Sequence, residues 1–119
     1  KPYRYSYNML AHPGSFLFDG VMRYDHTTGA SQQYLFGEGR FGSESPMAPC
    51  HDAQSEDDGY VVTFVSDMNT DQSECLVLDA RDLAAGPVAR IKLPHRISSG
   101  THSCWADASE IQTDWPGLA

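Results

Sequence analysis

The sequence lacks any apolar run of the roughly 18 residues that a membrane-spanning helix requires. It also lacks a basic segment followed by an apolar one, so we predict no signal peptide. Basic residues are scarce, because 8 Lys and Arg stand against 16 Asp and Glu, for a formal net charge of −8. Since phosphate binding depends on clustered cations, this deficit argues against a nucleic acid as partner.

Cysteine is scarce as well. Cys50, Cys75 and Cys104 are an odd number and show no C-x-x-C spacing. This argues against a disulfide framework and favours a reduced, cytoplasmic chain. Structural zinc sites usually carry closely spaced pairs of ligands, and Cys50-His51 and His102-x-Cys104 are only loose pieces of that pattern. The 119 residues suffice for one modest domain.

Long helical patterns are missing, because 10 Gly and 7 Pro recur throughout the chain. Alternating or continuous apolar segments predict strands instead. The predicted strands are 4–10, 15–25, 32–42, 60–67, 74–80 and 88–93. Two prolines and a group of acids predict a loop for 43–59.

The region 60–93 gives the clearest pattern, with a hairpin turn predicted at 68–72 and a connector at 81–86. Strand 60–67 is apolar on both faces, which predicts that both are covered. Strand 88–93 alternates with two cations, which predicts a place near a sheet edge. Its residues predicted to face the core are Ala89, Ile91 and Leu93.

Three antiparallel strands in this order are typical of most of one β-propeller blade. A blade buries its faces only against neighbouring blades, and 119 residues correspond to about two blades. We therefore predict an all-β chain that forms part of a propeller and does not stand alone.

Two motifs have simpler explanations than the chemistry they suggest. GEGRFG (37–42) matches G-x-G-x-x-G, but Pro46 and Pro49 follow and block the helix that a dinucleotide site needs. The acids at 56–58 lack the order of a calcium loop, so a solvated turn is predicted there. No G-x-S-x-G elbow of a serine hydrolase is present.

The stretch LPHRISSGTHSCW (93–105) holds His95 and His102. Their spacing leaves three alternatives open: two ligands of one metal, one ligand and one bystander, or two surface residues.

The segment EDDGYVVTFVSDMNTDQSECLVLDARDLAAGPVARIKLPHRISSGTHSCW (56–105) closely resembles the C-terminal end of carotenoid cleavage oxygenases. This family includes the lignostilbene dioxygenases and the retinal pigment epithelium isomerase. Its E-D-D-G-Y, L-V-L-D-A and V-A-R-[IV]-K-L-P strands and its G-x-H-x-x-[WF] loop all occur here in order. GRFGSES (39–45) resembles the family's glycine-rich run into an S-E-P segment.

The resemblance implies a seven-bladed propeller with a non-haem Fe(II) held on its axis by four histidines. His102 matches the last of these ligands. Glu44 matches an outer-shell glutamate that hydrogen-bonds a different ligating histidine. His95 matches no ligand position, and neither do the histidines at 12, 26 and 51. Neutral imidazoles suit Fe(II), and the remaining ligands are expected upstream of Lys1.

The resemblance also implies the reaction, the cleavage of a conjugated C=C bond with O₂ to two carbonyl products. Gly100-Thr101-His102-Ser103-Cys104-Trp105 departs from the G-F-H-G-T-W of many relatives and resembles the lignostilbene branch. A phenolic stilbene is therefore the expected substrate, with an apocarotenoid as the alternative. On this interpretation residues 1–119 are the C-terminal portion of one propeller domain and are inactive alone. A non-catalytic β-repeat interaction module is the competing hypothesis, against which the retained His102 and Glu44 argue.

Overall fold

The computed structural model describes residues 2–111, so the predicted domain of 1–119 extends beyond the described range at both ends. Within that range the chain is all-β, with no α-helix, as predicted. The strands are β1 (Tyr5–Ala11), β2 (Phe18–Asp25), β3 (Ser31–Leu35), β4 (Arg40–Gly42), β5 (Met47–Pro49), β6 (Gly59–Asp67), β7 (Gln72–Asp79) and β8 (Pro87–Lys92). Two single 3₁₀ turns, Leu83–Ala85 and Ala108–Glu110, complete the regular structure of this range.

The strands form two antiparallel sheets. The first has the order β1-β2-β3, and its β2–β3 turn is closed by Asp25, whose carboxylate accepts hydrogen bonds from the Thr27 and Thr28 N–H groups. The second has the order β4-β6-β7-β8, and β5 also pairs with β6. The β6–β7 hairpin and the connector that ends in the Leu83–Ala85 turn confirm the predictions for 60–86.

One apolar core joins the two sheets. Its members have little or no exposed surface, and Tyr7 packs on them from the first sheet and donates a 3.0 Å hydrogen bond to the Ala80 carbonyl. Burial of each large aliphatic side chain contributes about 1.5–3 kcal/mol, so the two sheets stabilise one another. The buried residues are Val21, Phe36, Val61, Val65, Leu76, Leu78, Ala80 and Leu83.

The predicted loop 43–59 is wrong at one place, because it contains β5. The sequence did not predict this strand because prolines donate no backbone hydrogen bond and are typical of loops. Prolines still accept such bonds, and the Val62 N–H donates to the Pro46 carbonyl at 3.0 Å.

The acids at 56–58 are also not a simple solvated turn. Asp57 is buried, and its carboxylate pairs with the Arg23 guanidinium of β2 at 2.5 Å. Glu56 accepts hydrogen bonds from the backbone N–H of Arg4. These acids therefore hold the 50–58 loop against the first sheet.

The second sheet has one covered face and one open face. Val61, Thr63 and Val65 have no exposed surface, whereas Tyr60 and Phe64 on the other side of β6 are each 43% exposed. The prediction of cover on both faces is therefore wrong for the described residues.

Strand β8 lies at the sheet edge as predicted, but its expected inward residues do not face the core. Ile91 is 52% exposed, Ala89 is exposed and Leu93 is only partly buried. Apolar and charged residues do alternate along β8, but no described residues pack over the apolar side of this strand.

Candidate metal centre

Glu44 lies in the short segment between β4 and β5, whose neighbouring residues are fixed by buried polar contacts. The Ser43 carbonyl accepts hydrogen bonds from the hydroxyls of Ser45 at 3.2 Å and Thr63 at 3.4 Å. Ser43 and Ser45 are buried, while the side chain of Glu44 keeps 25% of its surface exposed. The backbone on either side of Glu44 is therefore held by hydrogen bonds, while its carboxylate remains partly exposed.

His102 meets this carboxylate although 58 residues separate the two in sequence. Its Nδ1 lies 3.2 Å from Glu44 Oε1, and the Ser103 N–H donates to Oε2 of the same carboxylate. The segment before them is anchored where the Ile97 N–H donates to the Ser73 hydroxyl at 3.0 Å. Glu44 thus fixes the position of the loop that carries His102.

The contact sets the chemistry of the imidazole. A carboxylate only accepts hydrogen bonds, so His102 Nδ1 carries the proton and the lone pair of the neutral ring lies on Nε2. The side chain of His102 is 92% exposed, which leaves Nε2 accessible. A metal-ligating histidine usually has this arrangement, with its second nitrogen bound to a carboxylate that orients the ring.

This geometry departs from the resemblance in one respect. Glu44 was expected to support a different ligating histidine, but within residues 2–111 its histidine partner is His102 itself. The departure arises because the 97–104 segment folds back onto residues 43–45.

The described residues do not complete a metal site. Within residues 2–111 there is no group of three or more His, Cys, Asp or Glu side chains that could hold a metal ion. The donor set fits Fe(II) only in part, because His102 presents one oriented imidazole and three further ligands would have to come from elsewhere. Cys50, Cys75 and Cys104 are free, so no disulfide links them.

The other histidines have different surroundings. His95 is exposed, and His51 is a surface residue beside Asp52, with 98% of its side chain exposed. His26 Nε2 lies 2.9 Å from the Ser6 hydroxyl. His12 is held by Asp19, a pair that no motif in the sequence indicated and that only the β1–β2 hairpin brings together.

Comparison with known proteins accounts for this combination of fold and residues. The family described as "Retinal pigment epithelial membrane protein" matches residues 1–107 of the chain. Lignostilbene-alpha,beta-dioxygenase isozyme III of Sphingomonas paucimobilis is 32% identical over 122 residues, which cover 93% of this chain and 25% of that enzyme. Carotenoid 9,10(9',10')-cleavage dioxygenase 1 of Arabidopsis thaliana is 44% identical over 79 residues, 66% of this chain and 14% of that protein.

A solved structure shows the same architecture. The crystal structure of the Pseudomonas brassicacearum lignostilbene dioxygenase matches with a TM-score of 0.79 and 30% sequence identity, over 89% of this chain and 24% of that one. The chain therefore has part of the fold of a double-bond-cleaving oxygenase, and it belongs to the carotenoid cleavage oxygenase family. It spans about a quarter of the length of the lignostilbene dioxygenases it matches. No helix within residues 2–111 is long and apolar enough to cross a bilayer.

Proposed function

We propose that this chain forms part of an Fe(II)-dependent dioxygenase that cleaves the central C=C bond of a phenolic stilbene to two aromatic aldehydes. The observation that carries the proposal is the Glu44–His102 pair, which leaves an oriented imidazole nitrogen accessible in a chain of an oxygenase family. A lignostilbene dioxygenase also matches 93% of the chain, a wider span than the 66% matched by the plant carotenoid enzyme.

The roles of the residues follow from their contacts. His102 would be one of four histidine ligands of the iron, and Glu44 would orient it by accepting the Nδ1 proton. The Ser103 N–H bond to the same carboxylate would keep Glu44 in place when the metal binds. Fe(II), when bound, supplies the binding and activation of dioxygen, which none of the described side chains provides.

A cavity beside Glu44 has room for a ligand. It has a volume of about 250 Å³ and lies between β1 and the segment from Glu44 to Pro46. Tyr7, Asn8 and Met9 form its β1 side, and Ser103 lines it next to His102. A small molecule in this cavity would therefore contact the residues that flank the proposed ligand.

Carotenoid or apocarotenoid cleavage by the same chemistry is the second candidate. It is favoured by the 44% identity to the Arabidopsis carotenoid dioxygenase, which is the higher identity over the shorter span.

The test of the metal site is iron per chain after anaerobic Fe(II) loading and desalting. We would measure it on the 119-residue chain and on the full-length family protein that contains it, each as wild type, as His102→Ala and as the matched control His95→Ala. We expect about one iron per full-length chain, lost with His102→Ala and kept with His95→Ala. We expect little iron on the 119-residue chain, because its described residues provide no three-ligand group.

Two results would contradict the proposal. Iron retained by the full-length His102→Ala variant would remove the ligand role. One iron per 119-residue chain, lost on His102→Ala, would show that this chain builds a site without the three other histidines. Oxygen-dependent release of aldehydes from a hydroxystilbene, compared with an apocarotenal, then separates the two substrate classes.

A further inference from the structure

A second cavity lies at the end of β1, apart from Glu44 and His102. It has a volume of about 330 Å³ and is formed by the β1–β2 hairpin on one side and by the segment from Leu35 to Phe41 on the other. Ligand cavities usually have volumes of about 300–1,000 Å³, so this one fits a single substituted aromatic ring better than a long polyene.

His12 and Asp19 face each other in this cavity. The β1–β2 pairing skips Asp19, because Leu10 pairs with Gly20 and Ala11 pairs with Phe18, and such irregularities redirect side chains. Nδ1 of His12 lies 2.9 Å from both carboxylate oxygens of Asp19. Because the carboxylate only accepts, Nδ1 carries the proton, and Nε2 of the neutral ring is a hydrogen-bond acceptor.

The walls of the cavity are mainly apolar. Phe41 meets the His12 ring edge to face, with centroids 5.6 Å apart and an interplanar angle of 80°. Leu35 is 54% exposed beside it. An apolar surface beside a few polar groups suits flat rings that carry a hydrogen-bonding substituent.

The charges of the cavity select the kind of substituent. Asp19 and Glu38 both line it, so carboxylates and phosphates are repelled. A neutral hydroxyl avoids this repulsion and can donate a hydrogen bond to His12 Nε2.

The glycine motif of the sequence forms one wall of this cavity. Gly37 and Gly39 adopt φ angles of 102° and 71°, which strongly favour glycine. A Cβ at Gly39 would lie 2.7 Å from Asn69 Nδ2, so a larger residue there would also have to displace the Asn69 side chain. GEGRFG therefore shapes a tight loop beside an apolar cavity and has no helix to bind a phosphate.

We infer that this cavity binds the ring of a neutral phenol, whose hydroxyl donates to His12 Nε2. The inference rests on the proposed function for its choice of a phenolic ring over other neutral hydrogen-bond donors. The ring could belong to a phenolic stilbene or to a phenolic aldehyde released from it.

The test compares two single-ring probes that differ by one methyl group. Vanillin carries a phenolic hydroxyl, and its methyl ether veratraldehyde has no hydroxyl proton to donate. Each is titrated into the iron-free, ¹⁵N-labelled full-length protein that contains this chain, and the amide shifts are followed. We expect vanillin to shift the amides of residues 35–41 with a dissociation constant on the order of millimolar. It should bind about three- to tenfold more tightly than veratraldehyde, as one hydrogen bond provides.

Two variants test the role assigned to the imidazole. His12→Phe keeps an aromatic ring against Phe41 and removes the acceptor, so it should bind both probes equally. Asp19→Asn can donate to Nδ1, which moves the proton to Nε2, so it should lose the preference for vanillin as well. Asp52→Asn is the matched control, because it alters the exposed His51–Asp52 pair and should leave the preference unchanged.

The outcomes decide the inference one way or the other. Equal affinity of the wild type for the two probes, no binding of either, or an unchanged preference in His12→Phe overturns it. Shifts confined to the residues around Glu44 would also overturn it, since they place the ring in the other cavity. Iron and oxygen are absent from the titration, so a failure of stilbene cleavage would leave this result standing, and the reverse also holds.

Discussion

Replacing Glu44 with Gln tests whether this carboxylate holds the loop that carries His102. In the wild type its two oxygens accept from His102 Nδ1 and from the Ser103 N–H. Glutamine keeps one acceptor oxygen, and its NH₂ group must face the other donor, so one of the two bonds is lost. The loop around residue 103 should then detach more often, while the core of the two sheets stays intact.

The magnitude follows from the exposure of the partners. A hydrogen bond to a charged group contributes about 1.5–3 kcal/mol when shielded from water. Here the Glu44 side chain is 25% exposed and that of His102 is 92% exposed, so water replaces part of the loss. We expect local docking to weaken by about 1–2 kcal/mol, a factor of about 5–30 in the detached population.

Amide hydrogen exchange measures this population directly. In Glu44→Gln the protection of the Ser103 amide should fall by about 5–30-fold, while Leu76 in the core should keep its protection. Glu38→Gln is the matched control, because Glu38 is an exposed acid whose carbonyl, and not its carboxylate, accepts from Asn69 Nδ2. Unchanged protection at Ser103, or an equal loss at Ser103 and Leu76, would refute the reasoning.

Two further predictions concern stability. Leu76→Ala removes a side chain with no exposed surface and should lower the free energy of unfolding, measured by urea titration, by about 2–5 kcal/mol. Ile91→Ala changes a residue that is 52% exposed and should lower it by under about 1 kcal/mol. Similar losses in the two variants would contradict the assignment of the two faces. The hydrogen bonds from the Arg4 guanidinium, with those from the Thr27 and Thr28 N–H groups, hold the pKa of Asp25 well below its usual range. Because this folded-state pKa lies below the unfolded value of about 3.9, the charged carboxylate stabilises the fold above about pH 4, and that contribution is lost as the pH falls through the folded-state pKa. Asp25→Asn should therefore be less stable at pH 7 and show a shallower loss of stability below pH about 4 in thermal melts, and parallel acid limbs for the two proteins would contradict the assignment.

The sequence predicted the second sheet well, because its strands carry their own signals. β6 and β7 are apolar segments joined by a short polar turn, and their register needs no distant partner. β5 was missed for the opposite reason. Its three residues lie among prolines, and they form a strand only because they pair with β6.

The two errors about burial share one cause. Alternation along β8 and the apolar character of Tyr60 and Phe64 show which residues avoid water, but they do not supply the layer that covers them. The large residues on the open face of the second sheet need a further apolar surface, and the described chain offers none on that side. An isolated chain with this face exposed is expected to associate with itself or with another β-sheet.

The two histidine–carboxylate pairs show what sequence reasoning reached and what it could not. His102 was found because its loop resembles a family motif, and its contact with Glu44 spans 58 residues that no spacing rule connects. His12 and Asp19 are only seven residues apart, yet their contact lies beside an irregularity in the β1–β2 pairing that no sequence motif indicated. Both pairs place the proton on Nδ1 and leave Nε2 as the reactive nitrogen. Their surroundings separate the two roles, since Nε2 of His102 is accessible to a metal, while the His12 ring lines the second cavity beside Phe41.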